Sequence, residues 1–212
     1  AIKKMPGGTF VRSPAWLVGA IYNGRIAPVA PYGICGAIWY QAESNCGKGE
    51  DPRDYRHKQR ALVQGWRQAW NNENLPFFYV QLPQWKSYAW TYAREEQLRA
   101  MKVDGTGMAV TIDLDNANDI HPPNKIDVGE RLARWPLAKL YGKKIPFSGP
   151  LFRDVKVRDA EVVVRFDYAK EGLMAGRIEG VGEIVEAKDG LLHGFELVGE
   201  DGVWHPAKAK VK

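Results

Sequence analysis

Three short apolar runs, separated by two segments of helical length, constrain the fold of this chain more than any other sequence feature. The runs are residues 34–40, 76–82 and 107–113. The first is bounded by Gly33 and the polar Gln41, which suits a strand buried on both faces. Strands that alternate with helices predict a largely parallel sheet between helical layers, which is an α/β fold.

The helices are indicated by capping residues and by apolar spacing. Asp51 suits an N-cap and Pro52 the first helical position. A second helix is predicted over about 88–103 and a third over about 124–141, where Pro136 must bend or break it. In the first helix, side chains at spacings of three and four predict one covered face: Tyr55, Gln59, Leu62, Val63, Trp66 and Trp70.

The pattern changes near residue 147, which predicts a boundary between an α/β unit, 1–146, and a β-rich unit, 147–212. Asp189-Gly190 and Asp201-Gly202 are the clearest hairpin signals in the second unit. Its predicted strands are 161–167, 177–185, 192–198 and 203–211.

Charge and composition argue against several classes of function. The net charge is +5, but the basic residues are scattered along the chain, which argues against a nucleic-acid-binding groove. No stretch approaches 18 consecutive apolar residues, so no membrane span is expected. The two cysteines form no CxxC pair, and the four histidines show no metal-ligand spacing. We therefore expect no metal and no cofactor.

Two polar clusters follow predicted strands, where ligands collect in open α/β sheets. The first is residues 41–45 and the second is residues 113–124. Loops at strand ends are often polar without being catalytic. His121 favours a catalytic role for the second cluster, because an imidazole beside carboxylates can act as a general base near neutral pH. The neighbouring polar residues are Asp113, Asp115, Asn116, Asn118, Asp119 and Asn124.

The serines do not complete a catalytic triad in the sequence as given. None of them lies in a Gly-x-Ser-x-Gly elbow, the turn that exposes a nucleophilic serine in many hydrolases. The candidates are Ser13, Ser44, Ser87 and Ser148.

Three segments, in this order, resemble a known family: 22–28 (YNGRIAP), 38–45 (IWYQAESN) and 119–125 (DIHPPNK). Residues 148–151 and 194–196 are also similar to that family's C-terminal β region. The family comprises the sialate O-acetylesterases and related acetylxylan-type esterases of the SGNH hydrolase superfamily. The resemblance implies a three-layer, flavodoxin-like parallel sheet, incomplete in this chain, followed by an incomplete β-rich C-terminal domain.

The resemblance also implies acyl transfer, in which a serine attacks an acetyl carbonyl and a histidine takes its proton. It assigns Asn45 to the oxyanion, His121 to the base and Asp119 to the orienting acid. The resemblance likewise implies that the Ala42 amide is the backbone oxyanion donor, at a position where the family usually has glycine. Substrate contacts are expected from Gln41, Glu43 and Trp85.

Two other aspartates are alternatives to Asp119 as the acid that orients His121. The wider superfamily places its aspartate three residues before the histidine, where this chain has Asn118. Asp113 or Asp115 can therefore replace Asp119 in this role.

The family's nucleophile lies in a Gly-Gln-Ser-Asn segment upstream of these motifs, and nothing in residues 1–31 matches it. The expected partners are therefore an acetylated carbohydrate and an N-terminal polypeptide segment that carries the serine, with no nucleic acid and no membrane. By resemblance the location is periplasmic or secreted. The rival interpretation is a non-catalytic carbohydrate-binding or scaffold fragment that stacks sugars on Trp85, Tyr88 and Trp90.

Overall fold

The three apolar runs form one parallel sheet with strand order β1-β2-β3. The structure is a computed structural model that describes residues 19–30, 32–114, 118–121, 123–179, 181, 183–188 and 190–212. The α/β elements are β1 (Ala37–Trp39), α1 (Tyr55–Ala69), β2 (Phe77–Val80), α2 (Tyr88–Ala100), β3 (Thr106–Ala109) and α3 (Lys125–Lys139). The predicted mixed α/β fold with a parallel sheet is confirmed.

The central strand β2 is buried on both faces, and its alternate residues define two cores. Phe77 and Tyr79 pack with α1 and α2, in a cluster that includes Val63 and Ala100. Val80 faces the other way and packs with Val128 of α3. Burial of each large apolar side chain contributes about 1.5–3 kcal/mol, so both helical layers are held on the sheet mainly through β2.

Capping residues start the helices where the sequence predicted. Asp51 accepts the Arg53 N–H at 3.0 Å and begins a short 3₁₀ turn, which leads into α1. Asn124 accepts the Asp127 N–H at 3.1 Å and caps α3. Pro136 does not end α3, because the helix continues to Lys139 and the Leu140 N–H bonds to the Pro136 carbonyl at 2.8 Å.

The free edge of β3 is closed by side chains of α3. Trp135 Nε1 donates to the Met108 carbonyl at 3.0 Å, and Arg131 Nη1 donates to the Val110 carbonyl at 2.9 Å. These bonds satisfy backbone acceptors that a neighbouring strand would otherwise take.

The opposite edge, formed by β1, is open in the described part of the chain. Ile38 is 68% exposed, so the prediction that this strand is buried on both faces is wrong. The reason is the placement of α3, which packs on β2 and β3, whereas Ile38 lies in register with Phe78 on that same face.

Gly107 lets the Trp135 indole lie against β3, and we expect Gly107→Ala to destabilise the chain by about 1–3 kcal/mol. A Cβ at this position would overlap the indole ring. The matched control is Gly129→Ala within α3, where a Cβ meets nothing within 4 Å. That variant should gain about 0.5–1 kcal/mol, because glycine is a poor helix residue. Urea unfolding measures both values, and equal effects would contradict this account of the β3 edge.

The β-rich part consists of short antiparallel pairs. The predicted strand 161–167 is confirmed as β5 (Glu161–Asp167), which pairs with β4 (Leu151–Arg158), a strand that the sequence reading missed. The other predicted strands are each broken in two. They form β6 (Gly176–Glu179), β7 (Glu183–Glu186), β8 (Leu191–Leu192), β9 (Glu196–Val198), β10 (Trp204–Pro206) and β11 (Ala209–Lys210).

The Asp201-Gly202 turn joins β9 to β10, with Gly202 at a φ of 71°, as the hairpin signal predicted. Asp189 lies outside the described residues, and the boundary at residue 147 stays a prediction. Among the described helices, none combines the length and apolar character needed to cross a membrane.

Candidate active site

The segment after β1 turns sharply at Ala42, which precedes a 3₁₀ turn over Glu43–Cys46. Ala42 is fully buried, with φ 158° and ψ −6°, a backbone region that favours glycine. Its surroundings are the cluster of Tyr55, Leu82, Trp90 and Ala93. The alanine methyl, which stands where the family usually has glycine, is thus accommodated in a buried cluster at some cost in backbone strain.

The Ala42 amide points towards an anionic oxygen. Its N–H donates to Glu43 Oε2 at 2.9 Å. Burial, together with the nearby Glu43 carboxylate, raises the pKa of Tyr40 to about 12 and that of Cys46 to about 11. A hydrogen bond from a backbone N–H to a carboxylate is of the charge-assisted kind that an oxyanion would receive.

Asn45 is oriented by its neighbour in the same loop. Gln41 Nε2 donates to Asn45 Oδ1 at 2.9 Å, which leaves the Asn45 NH₂ group as the outward donor. That group lies 3.4 Å from Glu50 Oε2. Lys58 Nζ donates to the same Glu50 oxygen at 2.5 Å, and this hydrogen bond keeps the pKa of Glu50 below its ordinary value. The loop therefore presents two hydrogen-bond donors, one from the backbone and one from a side chain.

Asp119 and His121 lie in contact on the loop that follows β3. His121 Nδ1 is 3.5 Å from Asp119 Oδ1, and the His121 backbone N–H donates to the same oxygen at 2.8 Å. The His121 side chain is 78% exposed and the Asp119 side chain is 57% exposed. Ile120, between them, packs against the cluster around Ala42. The two predicted polar loops are thus packed together at the carboxyl end of the sheet.

The alternatives to Asp119 as the orienting acid, and the polar residues near them, have different environments. Asp113 is held by Arg131 through both oxygens, at 2.6 and 2.8 Å, which occupies the carboxylate. Asp115 and Asn116 lie outside the described residues. Asn118 is an exposed turn residue, and Asn124 serves as the cap of α3.

The aromatic residues of the rival interpretation have different environments. Trp85 is half-buried and packs against the Ala42 cluster, with its ring centroid 6.3 Å from that of Trp90. Trp90 is only 4% exposed, and its Nε1 donates to the Pro83 carbonyl at 2.7 Å. Trp90 is therefore a core residue and cannot stack on a sugar, whereas Tyr88 is 75% exposed.

Two buried polar residues near Ala42 were missed by the sequence reading as functional candidates. Tyr55 and Gln97 both bond to the carbonyl of Gln41, the residue that precedes Ala42. The sequence predicts Tyr55 only as part of the covered face of α1, and Gln97 carries no motif signal. A polar side chain on an otherwise apolar helix face is the only sequence cue to such a role.

Within the described part of the chain, no hydrogen bond joins a serine to His121. Ser44 is exposed in the 3₁₀ turn, and the Ser148 hydroxyl donates to the Gly149 carbonyl at 2.9 Å. Ser13 lies outside the described residues. Among the residues that are described, His, Cys, Asp and Glu side chains form no group of three suited to a metal ion.

Comparison with known proteins gives concordant matches. A family model described as "Carbohydrate esterase, sialic acid-specific acetylesterase" matches residues 7–137. The sialate O-acetylesterase of Rattus norvegicus is 28% identical over 174 residues, and that of Homo sapiens is 27% identical over 174 residues. Each alignment covers 71% of this chain, and the covered shares of those proteins are 32% and 33%.

A solved carbohydrate acetylesterase from Xanthomonas citri superimposes with a TM-score of 0.77 and is 33% identical in sequence. The match covers 91% of this chain and 43% of that protein. The chain thus spans about one third of the length of the curated relatives and less than half of the solved structure.

Proposed function

Because this chain belongs to the sialic acid-specific acetylesterase family of carbohydrate esterases, we propose that its complete form hydrolyses O-acetyl esters on sialic acid or a plant polysaccharide. The packing of Ile120 against the Ala42 cluster carries the proposal, because it brings the segment of Ala42 and Asn45 next to the segment of Asp119 and His121. We further propose the three-layer SGNH arrangement for the sheet and its helices.

The roles follow from chemistry at these two loops. His121 takes the proton of the attacking serine, and Asp119 holds the imidazole through Nδ1. The Ala42 N–H and the Asn45 side-chain amide donate to the tetrahedral oxyanion, where hydrogen bonds strengthen as charge develops. Gln41 holds Asn45 in place, whereas Glu43 and Trp85 flank the place of the acetylated sugar. Glu43 must release the Ala42 N–H when the oxyanion forms.

The serine is proposed to come from an N-terminal polypeptide segment that joins the same sheet. The open edge of β1 supports this, because an unpaired strand edge accepts another strand, whereas α3 blocks the edge of β3. A periplasmic or secreted location is part of the same proposal.

Release of acetate from a panel of acetylated sialic acid, xylan and xyloglucan tests the activity of the complete enzyme. The expected result is turnover of at least one substrate that His121→Ala abolishes. Turnover that persists in that variant would contradict the assignment of the base. The ranking of the three substrates identifies the sugar class.

In the complete enzyme, Asn45→Ala should lower kcat by roughly 10²–10³ with little change in KM. The amide acts mainly on charge that is present only in the transition state, so ground-state binding is spared. Steady-state kinetics on the best substrate of the panel measure both constants. Ser44→Ala is the matched control, since Ser44 is the exposed neighbour of Asn45 in the same turn. An equal loss in both variants, or a loss confined to KM, would exclude an oxyanion role for Asn45.

A further inference from the structure

The peptide group between Gln41 and Ala42 is held by two buried donors from different helices. The Tyr55 hydroxyl of α1 donates to the Gln41 carbonyl oxygen at 3.0 Å, and Gln97 Nε2 of α2 donates to the same oxygen at 3.4 Å. Tyr55 is 2% exposed and Gln97 is 1% exposed. Both donors are therefore shielded from water, and both contacts survive only while the two helices keep their places.

The same peptide group carries the Ala42 N–H. A trans peptide is planar, so its carbonyl and its N–H point in opposite directions and rotate together. Donors on the carbonyl oxygen consequently fix the direction of the N–H, and they also polarise the group, which strengthens the N–H as a donor. The Ala42 N–H meets Glu43 Oε2 at 2.9 Å, so its direction already suits an anionic oxygen.

Gln97 is engaged through both of its side-chain polar atoms. Gln97 Oε1 accepts the Leu82 N–H at 2.9 Å, and Gln97 Nε2 also donates to the Val80 carbonyl at 3.2 Å. Burial raises the pKa of the Tyr55 hydroxyl above its ordinary value, so the group stays protonated at neutral pH. Gln97 thus ties the end of β2 to the end of β1 and cannot turn away without losing other bonds. The single proton of the Tyr55 hydroxyl is shared between two acceptors of Gln41, the carbonyl oxygen at 3.0 Å and Oε1 at 3.2 Å.

We propose that Tyr55 and Gln97 are positioning residues for the esterase reaction, which aim the Ala42 N–H at the oxyanion by holding the Gln41 carbonyl. This inference rests on the proposed function, because it takes the Ala42 amide as an oxyanion donor. Neither side chain touches the substrate in this scheme. Their effect is therefore expected in kcat and in the binding of transition-state mimics, and not in KM.

The test is Tyr55→Phe in the complete enzyme, with Tyr79→Phe as the matched control. Tyr79 is 1% exposed, and its hydroxyl donates to the Gln97 backbone carbonyl at 2.7 Å without reaching the Gln41–Ala42 peptide. Tyr55→Phe should lower kcat about tenfold at constant KM and weaken binding of a tetrahedral boronate inhibitor by a similar factor. Tyr79→Phe should lower the melting temperature but keep kcat within about twofold of the wild type.

Gln97→Met removes the second donor and provides an independent variant with the same expected loss of kcat and of boronate binding. If Tyr55→Phe and Gln97→Met behave like Tyr79→Phe in both readouts while His121-dependent turnover persists in the wild type, this inference fails and the proposed function stands. If the complete wild-type enzyme shows no His121-dependent release of acetate, both fail.

Discussion

The 212-residue chain alone is expected to hydrolyse 4-nitrophenyl acetate about 10⁶-fold more slowly than the same chain joined by a segment that supplies the nucleophilic serine. Loss of the nucleophile removes the covalent step and adds about 8 kcal/mol to the barrier. His121, Asp119 and Asn45 would remain in place, but in the proposed mechanism the serine on which they act comes from another segment. The measurement compares kcat/KM for the purified chain with that for the chain mixed with, or fused to, an N-terminal segment that carries a Gly-Gln-Ser-Asn motif.

Two variants make this comparison decisive. Ser44→Ala in the isolated chain should change nothing, because Ser44 is expected to have no catalytic role. His121→Ala should also leave the residual rate of the isolated chain unchanged. Turnover by the chain alone that either substitution abolishes would show that the chain contains its own nucleophile.

His121→Ala in the complete enzyme is expected to lower kcat by about 10⁵, and Asp119→Asn by roughly 10³–10⁴. Without the imidazole no group takes the serine proton, whereas without the carboxylate the imidazole loses its orientation and its preferred tautomer. This expectation rests on two contacts of Asp119 Oδ1. It lies close to the His121 ring, and it accepts a hydrogen bond from the His121 backbone N–H. Single-turnover and steady-state rates on an acetylated sugar measure the losses.

The control variant for Asp119→Asn is Asp113→Asn, because the Asp113 carboxylate already accepts hydrogen bonds from Arg131. This variant should lower stability, since it weakens an ion pair, and should leave kcat nearly unchanged. Asp115→Asn is tested beside it. A silent Asp119→Asn together with a crippling Asp113→Asn or Asp115→Asn would move the role of the acid to that residue.

The α/β part of the fold was largely predictable because each element has a local signal. Apolar runs specify strands, and Asp51 and Asn124 fix helix starts through bonds to nearby backbone N–H groups. The exposure of Ile38 was not predictable, since it depends on where α3 lies across the sheet. The broken strands of the β-rich part were missed for a related reason, because strand pairing there depends on register between distant segments.

The candidate site likewise contains residues that the sequence could identify and residues that it could not. Asn45, Asp119 and His121 lie in short motifs, so their proposed roles could be derived from the sequence through a family resemblance. Tyr55 and Gln97 were not identifiable, because their proposed role depends on one carbonyl oxygen that separate helices reach only in the folded chain. A sequence pattern records which residues face a core, but not which buried polar atoms meet there.

The difference between the two sheet edges limits how copies of this chain can associate through β-strand pairing. Trp135 and Arg131 block the β3 edge, so within the described three-stranded sheet the unpaired edge is that of β1. Pairing of the β1 edge of one copy with the β3 edge of the next, which would propagate into a fibre, is therefore prevented. The remaining combination is β1 against β1 across a twofold axis, and it uses up both open edges. Edge-to-edge pairing of isolated chains through this three-stranded sheet would thus stop at a dimer.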